Sequence, residues 1–346
     1  MTTLLVSDIH MTEQARDSYR WGLFPWLAKQ AQVRGINQVI ILGDCTDKKD
    51  RHSASLVNRM CDALAELSSV CPVYIIAGNH DFVEPSNPFF RFVNAFPRVR
   101  FFTAPEALML PIAKDAAACL FLPCSADPYT DWEPLDEIYK HRYIFTHQTF
   151  VGSMRENGTR SDDGIPATFF EECGFKGEAY AGDIHVPQKI GGVTYIGAPY
   201  RIDFGDRYEP RVLLINKEGT KTNLRFPCPS KHLVEINEDG VVETDGGGVM
   251  SVDIRQGDQV KVRATLKRAD FPLWPGLQKN IRDMAAKGKW VLFGPELRRA
   301  DVQTESTAPV VRKSRASPEA LLRQYGQKHG LEQTLLEVGV AILAEA

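Results

Sequence analysis

The chain has 346 residues, 43% of them hydrophobic and 25% charged, which allows a large apolar core and excludes a disordered or fibrous protein. A net charge of −3 announces no global basic field, so a nucleic-acid partner would have to be met by a local groove. No run reaches the roughly 18–20 apolar residues of a membrane span, and seven cysteines without C-x-x-C spacing read as reduced thiols of a cytoplasmic protein.

The amino terminus, MTTLLVSDIH, lacks the basic and long apolar regions of a signal peptide. It reads instead as a strand over 3–7 that ends in Ser7-Asp8-Ile9-His10. A helical pattern over 17–34 places Trp21, Phe24, Leu27, Ala28 and Ala31 on one face and stops at Gly35. A second strand over 38–42 is followed at once by Gly43-Asp44, then by a polar loop and a helix over 54–68. A third strand over 73–77 runs into Gly78-Asn79-His80-Asp81. This βαβαβ order with near-continuous apolar strands predicts an α/β fold whose parallel sheet is covered by helices. Open folds of that kind carry their sites at the carboxyl ends of the strands.

Residues 82–142 are less regular, with a short helix over 88–95, strands over 99–102 and 118–122, and a surface loop over 125–137. A strand over 143–147 ends in His147, and the Gly-, Asp- and Ser-rich segment 152–167 is expected to be a mobile loop. Another strand leads to Gly182-Asp183-Ile184-His185, and strands over 193–196, 212–215 and 224–226 follow. Near 227–229 the chain leaves its first domain. Residues 230–300 read as a smaller α+β unit with strands over 232–236, 249–254, 259–266 and 290–293 and a helix over 276–287. A polar linker over 301–317 precedes two amphipathic helices, 318–329 and 331–343.

Five polar clusters thus stand at strand ends: Asp8-x-His10, Gly43-Asp44, Gly78-Asn79-His80-Asp81, His147 and Gly182-Asp183-x-His185. Their carboxylates, imidazoles and amide, with no thiolate among them, suit two divalent ions of the Mn²⁺, Fe²⁺ or Zn²⁺ kind better than a structural zinc. Two ions ~3.5–4 Å apart can clamp both oxygens of an in-line displacement at phosphorus.

The order of these motifs resembles the calcineurin-like metallophosphoesterases, an αββα sandwich, over residues 1 to about 226. Gly182-Asp-Ile-His-Val-Pro-Gln188 and Tyr195-Ile-Gly-Ala-Pro-Tyr-Arg-Ile-Asp-Phe-Gly205 are similar to a passage of the nuclease subunit of SbcCD-type complexes. The resemblance implies a catalytic domain over 1–226, a capping domain over 227–300, and over 301–346 a linker and helical tail that binds an SMC-like coiled-coil ATPase. It implies DNA as substrate and two metal ions, Mn²⁺ first, with Mg²⁺, Fe²⁺ and Zn²⁺ as alternatives. Asp8, His10, Asp44 and His185 would hold the first ion, Asp44 would bridge, and Asn79, His147 and Asp183 would complete the second. His80 would stand over the scissile phosphate, with Asp81 fixing its tautomer. Asp183 departs from the family, which has histidine there; a carboxylate adds charge and hardness and favours Mn²⁺ or Mg²⁺.

Outside the motifs, His52 reads equally well as a substrate contact and as a solvated loop residue, and Arg201 as a substrate-side buttress beside Asp203. Arg155 and Arg160 are weaker phosphate candidates. Phe89, Phe90, Phe92 and Phe96 form an aromatic cluster that reads as core packing and, by the resemblance, equally well as part of a homodimer contact. A phosphatase or cyclic-nucleotide phosphodiesterase on the same site, and a non-catalytic DNA-binding scaffold, are the alternative functions.

Overall fold

A computed structural model of the chain describes residues 1–132, 135–237, 242–244 and 254–299. The expected linker and the two terminal helices lie outside the described residues, as does most of the strand expected over 249–254.

The first half builds β1 (Thr3–Val6), α1 (Leu23–Arg34), β2 (Gln38–Ile41), α2 (Ala54–Val70), β3 (Val73–Ile76) and β4 (Val99–Phe102). A hairpin of β5 (Glu106–Ile112) and β6 (Asp115–Leu122) comes next, then α3 (Pro128–Asp131), β7 (Tyr143–His147), α4 (Phe169–Glu172) and β8 (Glu178–Gly182). After them come β9 (Gln188–Ile190), β10 (Val193–Tyr195), β11 (Val212–Ile215) and β12 (Lys221–Leu224). The last elements are β13 (Lys231–Ile236), β14 (Val242–Thr244), β15 (Gln259–Leu266), α5 (Trp274–Gly288) and β16 (Val291–Arg299).

Two six-stranded sheets, ordered β12-β11-β1-β2-β3-β4 and β5-β6-β7-β8-β10-β9, form the body. In the first, β1 to β4 are parallel and β11 and β12 antiparallel; in the second, β6, β7, β8 and β10 are parallel between antiparallel edges.

Strand alternation explains the continuous apolar runs. Leu4, Val6, Val39 and Ile41 pack outward on Leu27, Leu64 and Leu67 of α1 and α2. Leu5, Ile40 and Ile76 pack inward on Phe121, Phe145 and Tyr180 of the second sheet, where Phe102 and Phe121 stack with ring centroids 4.1 Å apart. The outer face of the second sheet is covered by Trp132, Phe169 and Phe170. The result is an αββα sandwich.

Several expectations change. The helix over 17–34 is a 3-10 segment, Ala15–Gly22, followed by α1; Pro25 lacks an N–H and fits the first α-helical turn, where that donor has no partner. Residues 89–95 are 3-10 rather than α-helical. The stretch 125–137 is not a plain surface loop, since Trp132 is buried and its indole donates to the Pro123 carbonyl at 2.9 Å. β5 was not expected because Glu106 and Pro111 interrupt its pattern; it is an edge strand, where proline is tolerated.

A third sheet, β14-β13-β15-β16, packs Val260 and Val262 against Ile281 of α5. It joins the sandwich through buried polar contacts: Lys231 Nζ lies 2.9 Å from Asp17 Oδ1 and donates to the Ile202 carbonyl at 2.6 Å. All seven cysteines are free, and among the described residues no helix is long and apolar enough to cross a membrane.

Candidate metal centre

The parallel strands deliver the polar clusters to one rim. Asp8 and His10 follow β1, Asp44 follows β2, Asn79, His80 and Asp81 follow β3, His147 ends β7, and Asp183 and His185 follow β8. Backbone bonds tie these loops together: Asp8 N–H to the Gly43 carbonyl at 3.2 Å and His10 N–H to the Asp44 carbonyl at 2.9 Å. The Asp183 N–H donates to Asp8 Oδ1 at 3.0 Å and so links the two sheets.

Asp8, His10, Asp44 and Asp183 hold φ of 53°, 38°, 55° and 86°. Such left-handed backbone costs on the order of 1–3 kcal/mol per residue and persists only where the surroundings enforce it. Space is equally tight. A methyl group on Gly182 would strike the Leu42 carbonyl, Ser7 Oγ and the His147 ring.

Asp44 spans the centre. Its Oδ2 is 3.4 Å from His10 Nε2; its Oδ1 is 3.4 Å from His147 Nε2 and accepts the His80 N–H at 2.8 Å. His147 Nδ1 donates to the Leu42 carbonyl at 2.6 Å, which leaves Nε2 as the ligating nitrogen. Around that Nε2 stand Asn79 Oδ1 at 3.3 Å and Asp183 Oδ1 at 3.9 Å. Atoms that share a divalent ion at about 2.0–2.2 Å are themselves ~3–3.5 Å apart, so His147 is spaced to share an ion with Asp44 and with Asn79, and Asp183 lies just beyond. The other Asp183 oxygen accepts from the Thr149 hydroxyl.

Both ring nitrogens of His10, and Nδ1 of His185, are buried without a hydrogen-bond partner. Buried polar atoms are ordinarily satisfied, and a cation among these nitrogens and the nearby carboxylates would satisfy them. Ligand atoms of Asp8, His10 and His185 lie within 4.8 Å of one another, as do those of His10, Asp44 and His80, and of Asp8, Asp44 and His147.

Electrostatics agree with an ion site. Burial pushes the His10 imidazole down to about 3, so it is neutral and able to ligate at neutral pH. Burial opposes charge on His147 too, but Asp44, Asp8 and Asp183 outweigh it and hold that ring charged well above its usual range. Burial likewise opposes the Asp44 carboxylate, yet His147, His10 and His80 keep it below the usual carboxylate range. An ion that takes His147 Nε2 would therefore displace a proton.

A calcineurin-like phosphoesterase family model matches residues 1–188. The chain belongs to that family. No curated protein matches it. The matched span includes every cluster described above, and the phosphoesterase is accordingly a metal-dependent hydrolase of phosphoesters. Divalent ions held here would supply Lewis acidity to a phosphoryl group.

One expected role needs correction. Asp81 does not orient His80. Its carboxylate accepts the N–H groups of Asp44 at 2.8 Å, Cys45 at 2.9 Å and Gly78 at 2.8 Å, and so braces the loop that carries Asp44. His80 is oriented by a carbonyl, that of Asp47, 2.9 Å from its Nδ1; a carbonyl only accepts, so Nδ1 carries the proton and Nε2 remains for other partners.

The cleft above the centre, about 280 Å³, is lined by His10, Asp44, Asn79, His80, Asp183 and His185, with Asp8, Asp81 and His147 buried below. Arg201 and His52 do not line it. Arg201 donates to the Lys231 carbonyl at 2.9 Å and faces a separate cavity. His52 Nε2 lies 2.6 Å from the Lys49 carbonyl and its ring packs on Phe89 and Phe90. Asp47, Thr149 and Glu156 line the cleft without having been singled out in the sequence, and Arg155 and Asp203 join them. The proximity of Asp47 to Asp44, and of Thr149 to His147, was a usable local signal; Glu156 had none.

Proposed function

We propose that this phosphoesterase is a two-metal phosphodiesterase acting on DNA, the nuclease subunit of an SMC-like ATPase complex in repair or recombination. The observation that carries the reading is the role of the nuclease-like passages in the cleft. Gln188 exchanges hydrogen bonds with the backbone of Met154, 2.7 Å in each direction. The Tyr200 hydroxyl donates to the Ile9 carbonyl between Asp8 and His10, and Ile202 and Asp203 form a wall of the cleft. His80 is assigned to the leaving oxygen, and Mn²⁺ is the expected ion. The carboxy-terminal segment over 301–346 is the expected ATPase contact, and exposed Phe89 and Phe92, beside buried Phe90, are the expected dimer patch.

The size of the cleft, about 280 Å³, favours a second reading, a phosphodiesterase or phosphatase for small esters. Digestion of plasmid and single-stranded oligonucleotide with Mn²⁺, run beside p-nitrophenyl phosphate mono- and diesters, separates the two. Nucleic-acid cleavage abolished in His80→Ala supports the nuclease. Turnover confined to small esters supports the second reading, and no turnover with any divalent ion supports a non-catalytic scaffold.

A further inference from the structure

We infer that Arg155 is a phosphate-contacting residue that fixes substrate in the cleft. The inference rests on phosphoester hydrolysis at this centre, and not on the choice of DNA over a small ester.

Among the described residues, Arg155 is the one arginine lining the cleft, no lysine lines it, and the cleft carries the carboxylates of Asp44, Asp47, Glu156, Asp183 and Asp203. Even with ions bound to Asp44 and Asp183, the remaining acidic groups repel a phosphate unless a cation answers them. Its backbone is held in place. Met154 pairs with Arg160 in an antiparallel bridge, Arg155 N–H donates to the Thr159 carbonyl at 2.8 Å, and Gln188 clamps Met154 from β9. The segment expected to be a mobile loop thus carries an internally bonded turn.

The guanidinium is anchored at one end. One nitrogen, NH2, donates to both Asp163 Oδ1 at 2.7 Å and Ser161 Oγ at 3.1 Å. The Nε–H and the second NH₂ group have no acceptor among the described residues. A planar fork with one arm held and the rest unspent is suited to the non-bridging oxygens of a phosphate. Holding that arm beforehand reduces the side-chain entropy lost on binding.

The test uses the full chain loaded with Mn²⁺, with orthophosphate as probe by calorimetry and bis(p-nitrophenyl) phosphate as substrate. Arg155→Ala is expected to weaken orthophosphate binding and raise KM about 10-fold or more, the scale of a charge-assisted hydrogen bond. kcat should fall less, and metal content should be unchanged. Arg155→Lys, which keeps the charge and loses the fork, should fall between. Asp163→Asn weakens the hold on the anchored arm but keeps the cation, and should cost less than Arg155→Ala. If Arg155→Ala leaves orthophosphate affinity and KM within about twofold of the parent, the inference is wrong. Equal losses in Arg155→Ala and Asp163→Asn, with matching falls in melting temperature, would also overturn it by making Arg155 a staple of its turn. A parent protein that binds orthophosphate in an Arg155-dependent way yet cleaves no ester would uphold the contact and sink the hydrolase reading.

Discussion

Asp81 accepts the backbone N–H of Asp44 at 2.8 Å, so a carboxylate that does not line the cleft sets the backbone of one that does. Asp44 sits at φ 55°, and the neighbouring Cys45 and Gly78 amides converge on the same Asp81 carboxylate. Asp81→Asn replaces one acceptor oxygen by a donor and leaves at least one of these buried amides unpaired. The expected loss is about 1–3 kcal/mol of stability, with weakened ion binding. Urea denaturation and metal analysis of the purified variant check both, and an unchanged midpoint with full metal content would remove the bracing role.

His10 ties stability to pH. Its folded-state value is pushed down to about 3, chiefly by burial, whereas an unfolded chain takes up the proton near 6.5. Between those values the unfolded state binds more protons, so the contribution is fully present above about 6.5 and is lost as pH falls towards 3. Denaturation of the cation-free protein at pH 7 and pH 5 should show this loss, with a shallower dependence in His10→Gln. Equal slopes for parent and variant would mean that another group governs the acid limb.

Proton release reports on His147. Because Asp44, Asp8 and Asp183 hold its ring charged, an ion that takes Nε2 must expel a proton. Calorimetric titration of Mn²⁺ in two buffers of different ionisation enthalpy should show net proton release, and affinity should rise with pH. Buffer-independent heats would contradict a charged His147.

Asp183 holds one oxygen 3.9 Å from His147 Nε2 while the other is taken by Thr149. Asp183→Ala is expected to lower the metal content from two ions towards one, and Asp183→His to restore it with a shift from Mn²⁺ towards Zn²⁺. Metal stoichiometry by mass spectrometry decides; two tightly held ions in Asp183→Ala would show that this carboxylate is not a ligand.

Gly182→Ala should be poorly tolerated, because its methyl would meet the Leu42 carbonyl, Ser7 Oγ and the His147 ring at once. Overpacking of this kind costs typically 1–3 kcal/mol, visible as a fall of several degrees in melting temperature. An unchanged melting temperature would mean that the rim of the sheets yields more easily than its packing implies.

What the sequence determined by itself is what local pattern encodes. Continuous apolar runs such as 38–42 must be buried on both faces, and their polar ends must lie at one rim of a parallel sheet, so a covered parallel sheet and its ligand clusters were legible, and the two-sheet sandwich only through the family resemblance. The tertiary structure alone decided where side chains aim. Asp81 is adjacent to His80 in sequence, yet its partners Asp44 and Cys45 lie 37 and 36 residues away, because the β2 and β3 loops meet only after the strands pair. Arg201 sits in a motif-like passage but turns to the Lys231 carbonyl, whereas Arg155, in an unremarkable Gly- and Asp-rich stretch, lines the cleft on a turn that Gln188 and the Thr159 carbonyl hold. Residue type and spacing state which groups can ligate or carry charge; left-handed backbone at Asp8, His10, Asp44 and Asp183, enforced by contacts between distant loops, decides which of them converge.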